Sequence, residues 1–257
     1  MQNQKIIILG AGKVAQQICK QCLLKGVEVL ALWSRNYEAT LYLNLNVPIV
    51  KKIEDLPTVA DTYIVCVSDA AIADVAAQLP LRIREQRLVV HCSGATPMTV
   101  LEAHCAYFGI FYPLQTFSVN SKPDWSQIPI CVSSNVASKT EQLRNLAKII
   151  GNHIYDINDK QRLALHVAAV FVNNFTNHLF AIGEDICNME SVSFDILKPL
   201  IAETAAKILH QSPAQAQTGP AIRNDVPTIK RHESFLEDYP ADFLDIYKLM
   251  SKAIQEE

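Results

Sequence analysis

Short, continuous apolar runs alternate with segments of helical spacing over residues 1–157. The first run, residues 6–9, ends in glycine and is followed by apolar positions at Val14, Ile18 and Leu24. That order predicts a strand, a tight turn and a helix. Further strand-like runs follow at residues 27–33, 48–50, 62–67, 88–90, 107–112, 128–132 and 153–157. The alternation predicts an α/β domain with a doubly wound parallel sheet over residues 1–157.

After residue 158 the strand-like runs stop and helical spacing takes over. Residues 159–189 contain no proline and a single glycine, Gly183, which predicts one long helix. Further helices are predicted at residues 194–211, 227–236 and 240–255. We therefore expect an all-α domain over residues 158–257.

The middle of the long predicted helix is uncharged, with no Asp, Glu, Lys or Arg in residues 164–183. A helix without charge on any face is buried on most sides. A membrane span is disfavoured because several side chains would be costly in lipid, namely His166, Asn173, Asn174, Asn177 and His178. The polar side chains of His166, Asn173 and Asn177 fall on one face at helical spacing. The sheet domain is too small to enclose this helix, so we expect a second copy of the chain to complete a homodimer.

Composition disfavours several classes of function. The 257-residue chain has a formal net charge of −3 and no basic tract, which argues against nucleic acid as a partner. Its 7 cysteines are scattered and no leader segment is visible, so we expect a cytoplasmic protein with reduced thiols. The close pair Cys19 and Cys22 lies inside the first predicted helix and is expected to pack in the core. The histidines lack metal-site spacing, so we expect no metal.

The turn after the first strand predicts a nucleotide site. Gly10 allows the turn, Gly12 lets the backbone approach a diphosphate, and Ala15 is small enough for close helix–strand packing. The first helical N–H groups, those of Lys13 and Val14, would face the phosphates. A lone Gly-x-Gly-x-x-Ala sequence could also be only a tight βα corner, but its place after the first apolar run favours a dinucleotide.

The end of the second strand bears on the choice of coenzyme. Enzymes that use NAD usually carry Asp or Glu here to bind the ribose hydroxyls. This chain has Ser34, Arg35 and Asn36 instead, a hydroxyl, a guanidinium and an amide that suit a 2′-phosphate. We therefore expect NADP as the cofactor.

Polar residues also follow the later strands. Ligands bind at the carboxyl ends of parallel strands, so Val67, Ser68 and Ser93 are expected to contact the cofactor. Gln115, after the run at 107–112, would then contact the substrate. His91 either caps its loop or lies beside the nicotinamide.

Several motifs together resemble a known group of proteins. The chain is similar to the β-hydroxyacid dehydrogenases, ketopantoate reductases and pyrroline-carboxylate reductases. It is more closely similar to a branch of Rossmann-like NADP oxidoreductases whose C-terminal domain has no assigned function. The motifs that carry this closer resemblance are residues 91–95 (His-Cys-Ser-Gly-Ala), 112–117 (Tyr-Pro-Leu-Gln-Thr-Phe) and 218–220 (Thr-Gly-Pro), together with His166, Asn173, Arg223 and Asp225. The resemblance implies a Rossmann domain, a 6-phosphogluconate-dehydrogenase-like helical domain and a dimer, and it implies no particular substrate.

The chain departs from the dehydrogenase group at the proton donor. Those relatives carry a lysine one turn before an Asn–Asn pair, and the corresponding residue here is Val170. His166 is the nearest replacement, because histidine titrates near neutral pH and suits general acid catalysis. Asn173 would hold the substrate. Arg223 is either a structural tie or a clamp for an anion, and Asn224 replaces a frequent glycine but tolerates positive φ.

Two hypotheses of function follow from these residues. The first is a reductase that passes hydride between NADPH and a small C=O or C=N compound in the cleft between the domains. The second is a non-catalytic module that binds NADP and reports it to a partner, which the missing lysine supports. A reductase that passes hydride to another redox carrier, such as a deazaflavin, lies between them.

Overall fold

The computed structural model describes residues 4–41, 43, 45–118 and 121–256. The expectation of no leader segment rests in part on residues 1–3, which lie outside the described residues. The chain forms two compact units, Met1–Ala169 and Val170–Glu257. The domain boundary near residue 157 stays a prediction.

An eight-stranded sheet with the order β3-β2-β1-β4-β5-β6-β7-β8 forms the centre of the first unit. All neighbouring pairs are parallel except β6 and β7. The strands are β1 (Lys5–Leu9), β2 (Glu28–Trp33), β3 (Ile49–Val50), β4 (Thr62–Val65), β5 (Leu88–His91), β6 (Tyr107–Pro113), β7 (Pro129–Ser134) and β8 (His153–Asp156). The predicted doubly wound sheet is confirmed. The sequence pattern did not indicate that β7 would pair with β6 in the antiparallel direction.

Helices pack on the sheet and then make up the second unit. Those of the first unit are α1 (Lys13–Leu24), α2 (Tyr37–Leu41), α3 (Ile72–Gln78), α4 (Leu81–Gln86), α5 (Ala137–Ile150) and α6 (Asp159–Ala169). Those of the second are α7 (Thr176–Met189), α8 (Lys198–Lys207), α9 (Pro213–Ala216), α10 (Val226–Leu236) and α11 (Ala241–Gln255). Short 3₁₀ helices lie at Ile53–Asp55, Asp69–Ala71, Met98–Leu101 and Phe194–Leu197.

The apolar run of β1 is continuous because both faces of the sheet are covered. Successive side chains of a strand point to opposite faces. Ile6 and Ile8 accordingly join one hydrophobic core, while Ile7 and Leu9 join the other. Cys19 and Cys22 on α1 are fully buried in the first of these cores, and burial raises the pKa of the Cys19 thiol to about 12. The two thiols are core residues, as the sequence predicted.

The predicted long helix 159–189 is helical throughout but is not one α-helix. A π-helical segment, Val170–Phe175, lies between α6 and α7, and the Thr176 hydroxyl donates to the Phe171 carbonyl at 3.0 Å. The π-helical segment changes the angular spacing between His166, Asn173 and Asn177, so an uninterrupted α-helix no longer places these three side chains on one face. The expected burial is also not met within the single chain, because Phe171 is 62% exposed and Phe175 51%.

No helix in the described part of the chain is long and apolar enough to cross a membrane.

Candidate active site

Gly10 makes the turn after β1 in a conformation that requires glycine. Its φ is +125°, and a Cβ added there would lie 2.2 Å from the carbonyl oxygen of Cys66. Its N–H donates to the carbonyl of Trp33 at 2.7 Å. The turn is therefore held against the ends of both neighbouring strands, β2 and β4.

Gly12 lies at the N-terminal end of α1, and we call the open space over its backbone the nucleotide cradle. It is the N-cap residue of α1, no side chain caps that end, and the first turn holds no acidic residue. A Cβ on Gly12 would meet nothing within 4 Å, so open space lies over the backbone. The first N–H groups of a helix have no partner within the helix, and here those of Lys13 and Val14 remain available to an anion. This end of α1 fits the diphosphate of a dinucleotide.

Of the three predicted residues after β2, two form local hydrogen bonds and the third is exposed. The Ser34 hydroxyl accepts from the Asn36 N–H at 3.3 Å, and the Asn36 side chain accepts from the Ala39 N–H at 3.1 Å. Both side chains thus shape the turn that starts α2. Arg35 is exposed, which leaves its guanidinium for a 2′-phosphate.

The loop after β5 is tied to the loop after β4 by Ser93. Its hydroxyl donates to Oδ2 of Asp69 at 2.7 Å and accepts from the N–H groups of Ala95 and Thr96 at 3.2 and 2.9 Å. These bonds give Ser93 a structural role, and a cofactor contact from it stays a prediction. Val67 is half-buried and Ser68 exposed at the neighbouring strand end.

His91 lies below this loop, not on its surface. It is fully buried, and its Nδ1 accepts from the Ser93 N–H at 3.2 Å. Burial, with a smaller effect of the Arg162 charge, lowers the pKa of His91 to about 4. His91 is therefore a neutral support of the loop at physiological pH, which favours the first of its two predicted roles.

A buried arginine fastens α6 to the same loop. Arg162 is fully buried and donates to Oδ1 of Asp159 at 2.7 Å and to the carbonyl oxygen of Thr96. The other oxygen of Asp159 accepts from the Met98 N–H at 2.9 Å. Arg162 was not among the residues predicted from sequence, although an Asp and an Arg three residues apart at a helix start are a signal for such a pair.

The fastening of α6 places His166 against two residues at the strand ends. The hydroxyl of Tyr112 lies 3.3 Å from Nδ1 of His166, and the two rings meet edge to face. A Cβ on Gly94 would lie 2.5 Å from the same Nδ1, so His166 packs directly on that glycine. Burial raises the pKa of the Tyr112 hydroxyl, which therefore stays protonated near neutral pH. Tyr112 was not predicted as a site residue, although it ends a predicted strand and begins the 112–117 motif that carries the family resemblance.

The other predicted residues are Gln115 in the first unit and Asn173 and Arg223 in the second. Gln115 is exposed, and its side chain accepts from the Thr116 N–H at 2.8 Å. Asn173 lies in the π-helical segment of the second unit and is exposed. Arg223 is exposed and forms no ion pair with a described residue. Asn224, next to it, has a φ of 51°, so the turn keeps the positive φ that glycine would allow.

Across the described ranges, no group of three or more His, Cys, Asp or Glu is arranged to hold a metal ion.

Two family models match the chain. Residues 5–94 match the family described as NADP oxidoreductase coenzyme F420-dependent. Residues 128–254 match a domain of unknown function, DUF2520. A comparison with curated proteins gave no match.

Solved structures resemble the chain over nearly its whole length. A Bacteroides fragilis protein named a "putative NADP oxidoreductase" is 34% identical, covers 99% of both chains and has a TM-score of 0.88. A reductive aminase from Aspergillus terreus, in complex with NADPH and ethyl levulinate, is 17% identical over 99% of this chain and 94% of its own, with a TM-score of 0.71. The 1-pyrroline-5-carboxylate reductase of Streptococcus pyogenes is 14% identical over 98% of both chains, with a TM-score of 0.65.

The aminase and the carboxylate reductase share the fold with this chain. The Bacteroides protein has a considerably higher sequence identity to this chain than these two enzymes have, over the full length. Together with the match at residues 5–94 and the open cradle at Gly12, this shows that the cofactor is NADP(H). The chain belongs to the family of NADP oxidoreductases that combine a Rossmann-like N-terminal domain with a DUF2520 C-terminal domain.

Proposed function

We propose that this oxidoreductase transfers hydride between NADPH and a small compound with a C=O or C=N bond. The observation that carries the proposal is the contact of His166 with Tyr112 and Gly94, at the edge of the sheet where the nucleotide turn also lies. Bound NADPH supplies the hydride, and the protein positions the substrate and handles the proton.

His166 is the proposed proton donor. In its protonated form His166 donates from Nδ1 to the Tyr112 hydroxyl oxygen, carries its second hydrogen on Nε2, and becomes a neutral imidazole when that hydrogen is passed on. That hydrogen is then available to the oxygen or nitrogen that gains electron density as the substrate is reduced. Because Val170 stands where related dehydrogenases carry lysine, His166 takes over the role of that lysine.

The proposed substrate contacts are Asn173, Gln115 and Arg223. Arg223 suits a carboxylate, since its guanidinium is exposed and forms no ion pair among the described residues. The pyrroline-carboxylate reductase, by its name, acts on a compound that joins a carboxylate to a C=N bond. A cyclic or acyclic imine with a carboxylate is therefore the first substrate class to test.

The experiment follows the loss of NADPH absorbance in stopped flow with a panel of imines and ketones, with and without carboxylates. We expect turnover with at least one class. His166→Ala should remove most of that turnover without changing NADPH affinity, whereas His153→Ala, on exposed β8, should leave both unchanged. Undiminished turnover in His166→Ala would remove that residue from the mechanism.

A second hydride acceptor has its own support. The family model that matches residues 5–94 is described as coenzyme F420-dependent. A deazaflavin of this kind accepts hydride as a carbonyl or imine compound does, so it belongs in the same panel. Reduction of the deazaflavin by NADPH, with no turnover of any imine or ketone, would favour this candidate.

We also propose a homodimer in which a second copy covers the π-helical segment Val170–Phe175 and α7. Apolar side chains there are exposed in the single chain, among them Phe171, Val172, Phe175 and Leu179. Light scattering should give twice the chain mass, and Phe175→Glu should reduce it. Leu24→Glu is the control, because Leu24 is 78% exposed on α1.

We further propose a reducing compartment, such as the cytoplasm, because all of the cysteines are free thiols.

A further inference from the structure

Lys51 directly follows β3, at the edge of the sheet that also carries the residues after β2. Strands β2 and β3 are parallel, and Trp33 pairs with Val50 at the end of their ladder. The next residue of each strand, Ser34 and Lys51, therefore lies at the same edge of the sheet. This edge carries Arg35.

The side chain of Lys51 is directed to the same turn. Its Nζ lies 5.5 Å from the centroid of the Tyr37 ring, within cation–π range. Tyr37 is the first residue of α2 and stands two positions after Arg35. The aromatic face thus holds a second positive charge close to the turn.

The charge of Lys51 has no acidic partner among the residues that the structure describes. Within the described residues, Lys51 forms no ion pair, and this includes Glu38 in the first turn of α2. The next residue differs, because Nζ of Lys52 lies 4.0 Å from a carboxylate oxygen of Glu54. Two neighbouring exposed lysines therefore differ in that one charge is paired and the other is available.

We propose that Lys51 is a second cation of the 2′-phosphate site and, with Arg35, sets the preference for NADP over NAD. A phosphate monoester carries a charge of about −1.5 to −2 at neutral pH, more than one guanidinium balances. Arginine supplies a planar fork for two oxygens, and lysine supplies a compact charge for the remaining one. The inference rests on NADP binding and not on the identity of the hydride acceptor.

Equilibrium titrations of NADPH and NADH against the full-length protein test this role. Lys51→Gln removes the charge and keeps a polar, unbranched side chain that is one bond shorter. We expect its Kd for NADPH to rise about tenfold, as for a charged hydrogen bond, with the Kd for NADH unchanged. Lys51→Arg should keep NADPH affinity within about threefold, because the charge remains.

Lys52→Gln is the matched control and should change neither Kd by more than about twofold, since its charge is already opposed. The probe pair 2′,5′-ADP and 5′-AMP isolates the phosphate, and Lys51→Gln should weaken only the first. Equal weakening of NADPH and NADH would mean that Lys51 only ties α2 to β3, and unchanged binding of both would mean a solvated lysine. An equal loss in Lys52→Gln would mean a diffuse positive field. Each of these results overturns the proposal, whether or not imines are reduced.

Discussion

Gly94 and His166 lie in direct contact, so that a methyl group on Gly94 would come within 2.5 Å of Nδ1 of His166. The same methyl would lie 2.9 Å from the ring of Tyr112. We expect Gly94→Ala to displace both side chains and to cost about 1–3 kcal/mol of unfolding free energy, as overpacking does. Turnover should fall by about tenfold or more, because small displacements of catalytic groups are costly. Urea unfolding and steady-state rates check the two effects, and a variant with full turnover would contradict the assignment of this contact.

Gly12→Ala should leave the stability of the protein intact and weaken the binding of NADPH. A Cβ there meets nothing within 4 Å, and the backbone φ of −71° suits alanine. The unfolding free energy of the free protein should therefore stay level or rise by about 0.4–1 kcal/mol. The methyl group would occupy space over the cradle, so the Kd for NADPH should rise by about tenfold or more, since close backbone approach to the diphosphate is lost. Thermal unfolding and coenzyme titration measure the two quantities separately. Unchanged NADPH affinity would show that the diphosphate does not bind at Gly12.

Tyr112→Phe should slow hydride transfer through its effect on His166. The change removes the hydroxyl that lies 3.3 Å from Nδ1 and leaves the ring packing in place. We expect turnover to fall about tenfold with NADPH affinity unchanged, because the imidazole loses the bond that fixes its tautomer. Single-turnover rates measure the effect.

The control for Tyr112→Phe is Tyr107→Phe, at the start of the same strand, whose ring contacts Lys139. The double variant Tyr112→Phe/His166→Ala should be little slower than His166→Ala alone, since the two groups act as one unit. Independent, additive losses would show that Tyr112 does not act through His166.

Local sequence was enough to predict the parts of the protein that depend on neighbouring residues. The run of β1 and the turn at Gly10 follow from side chains and backbone preferences within a few positions. By contrast, Tyr112 and His166 are 54 residues apart, and their contact depends on how α6 docks on the loop after β5. That docking rests on Arg162, whose burial beside Thr96 no periodicity could indicate.

The helix around Asn173 shows the same limit at shorter range. Apolar spacing could indicate a helix but not its type, because α and π turns differ by one residue in their hydrogen bonds. The exposure of Phe171 has a different cause, since an uncharged segment indicates burial without saying what covers it.

His91 should make the fold sensitive to mild acid. Its pKa is lowered by burial from 6.5 to about 4, so the folded protein keeps the ring neutral while the unfolded chain takes up a proton below about pH 6.5. This contribution is fully present above that pH and is lost as pH falls towards about 4, where the native ring also protonates. The shift corresponds to roughly 3 kcal/mol.

His91→Asn tests this contribution because an amide oxygen can still accept from the Ser93 N–H. Urea unfolding should show a wild-type stability that falls between about pH 7 and about pH 4.5, and the fall should be about 2 kcal/mol smaller in His91→Asn. His153→Asn, on exposed β8, should keep the wild-type dependence. If His91→Asn lost as much stability over this range as the wild type does, the acid sensitivity would belong to other groups, and His91 would take up its proton in the folded protein as readily as in the unfolded chain.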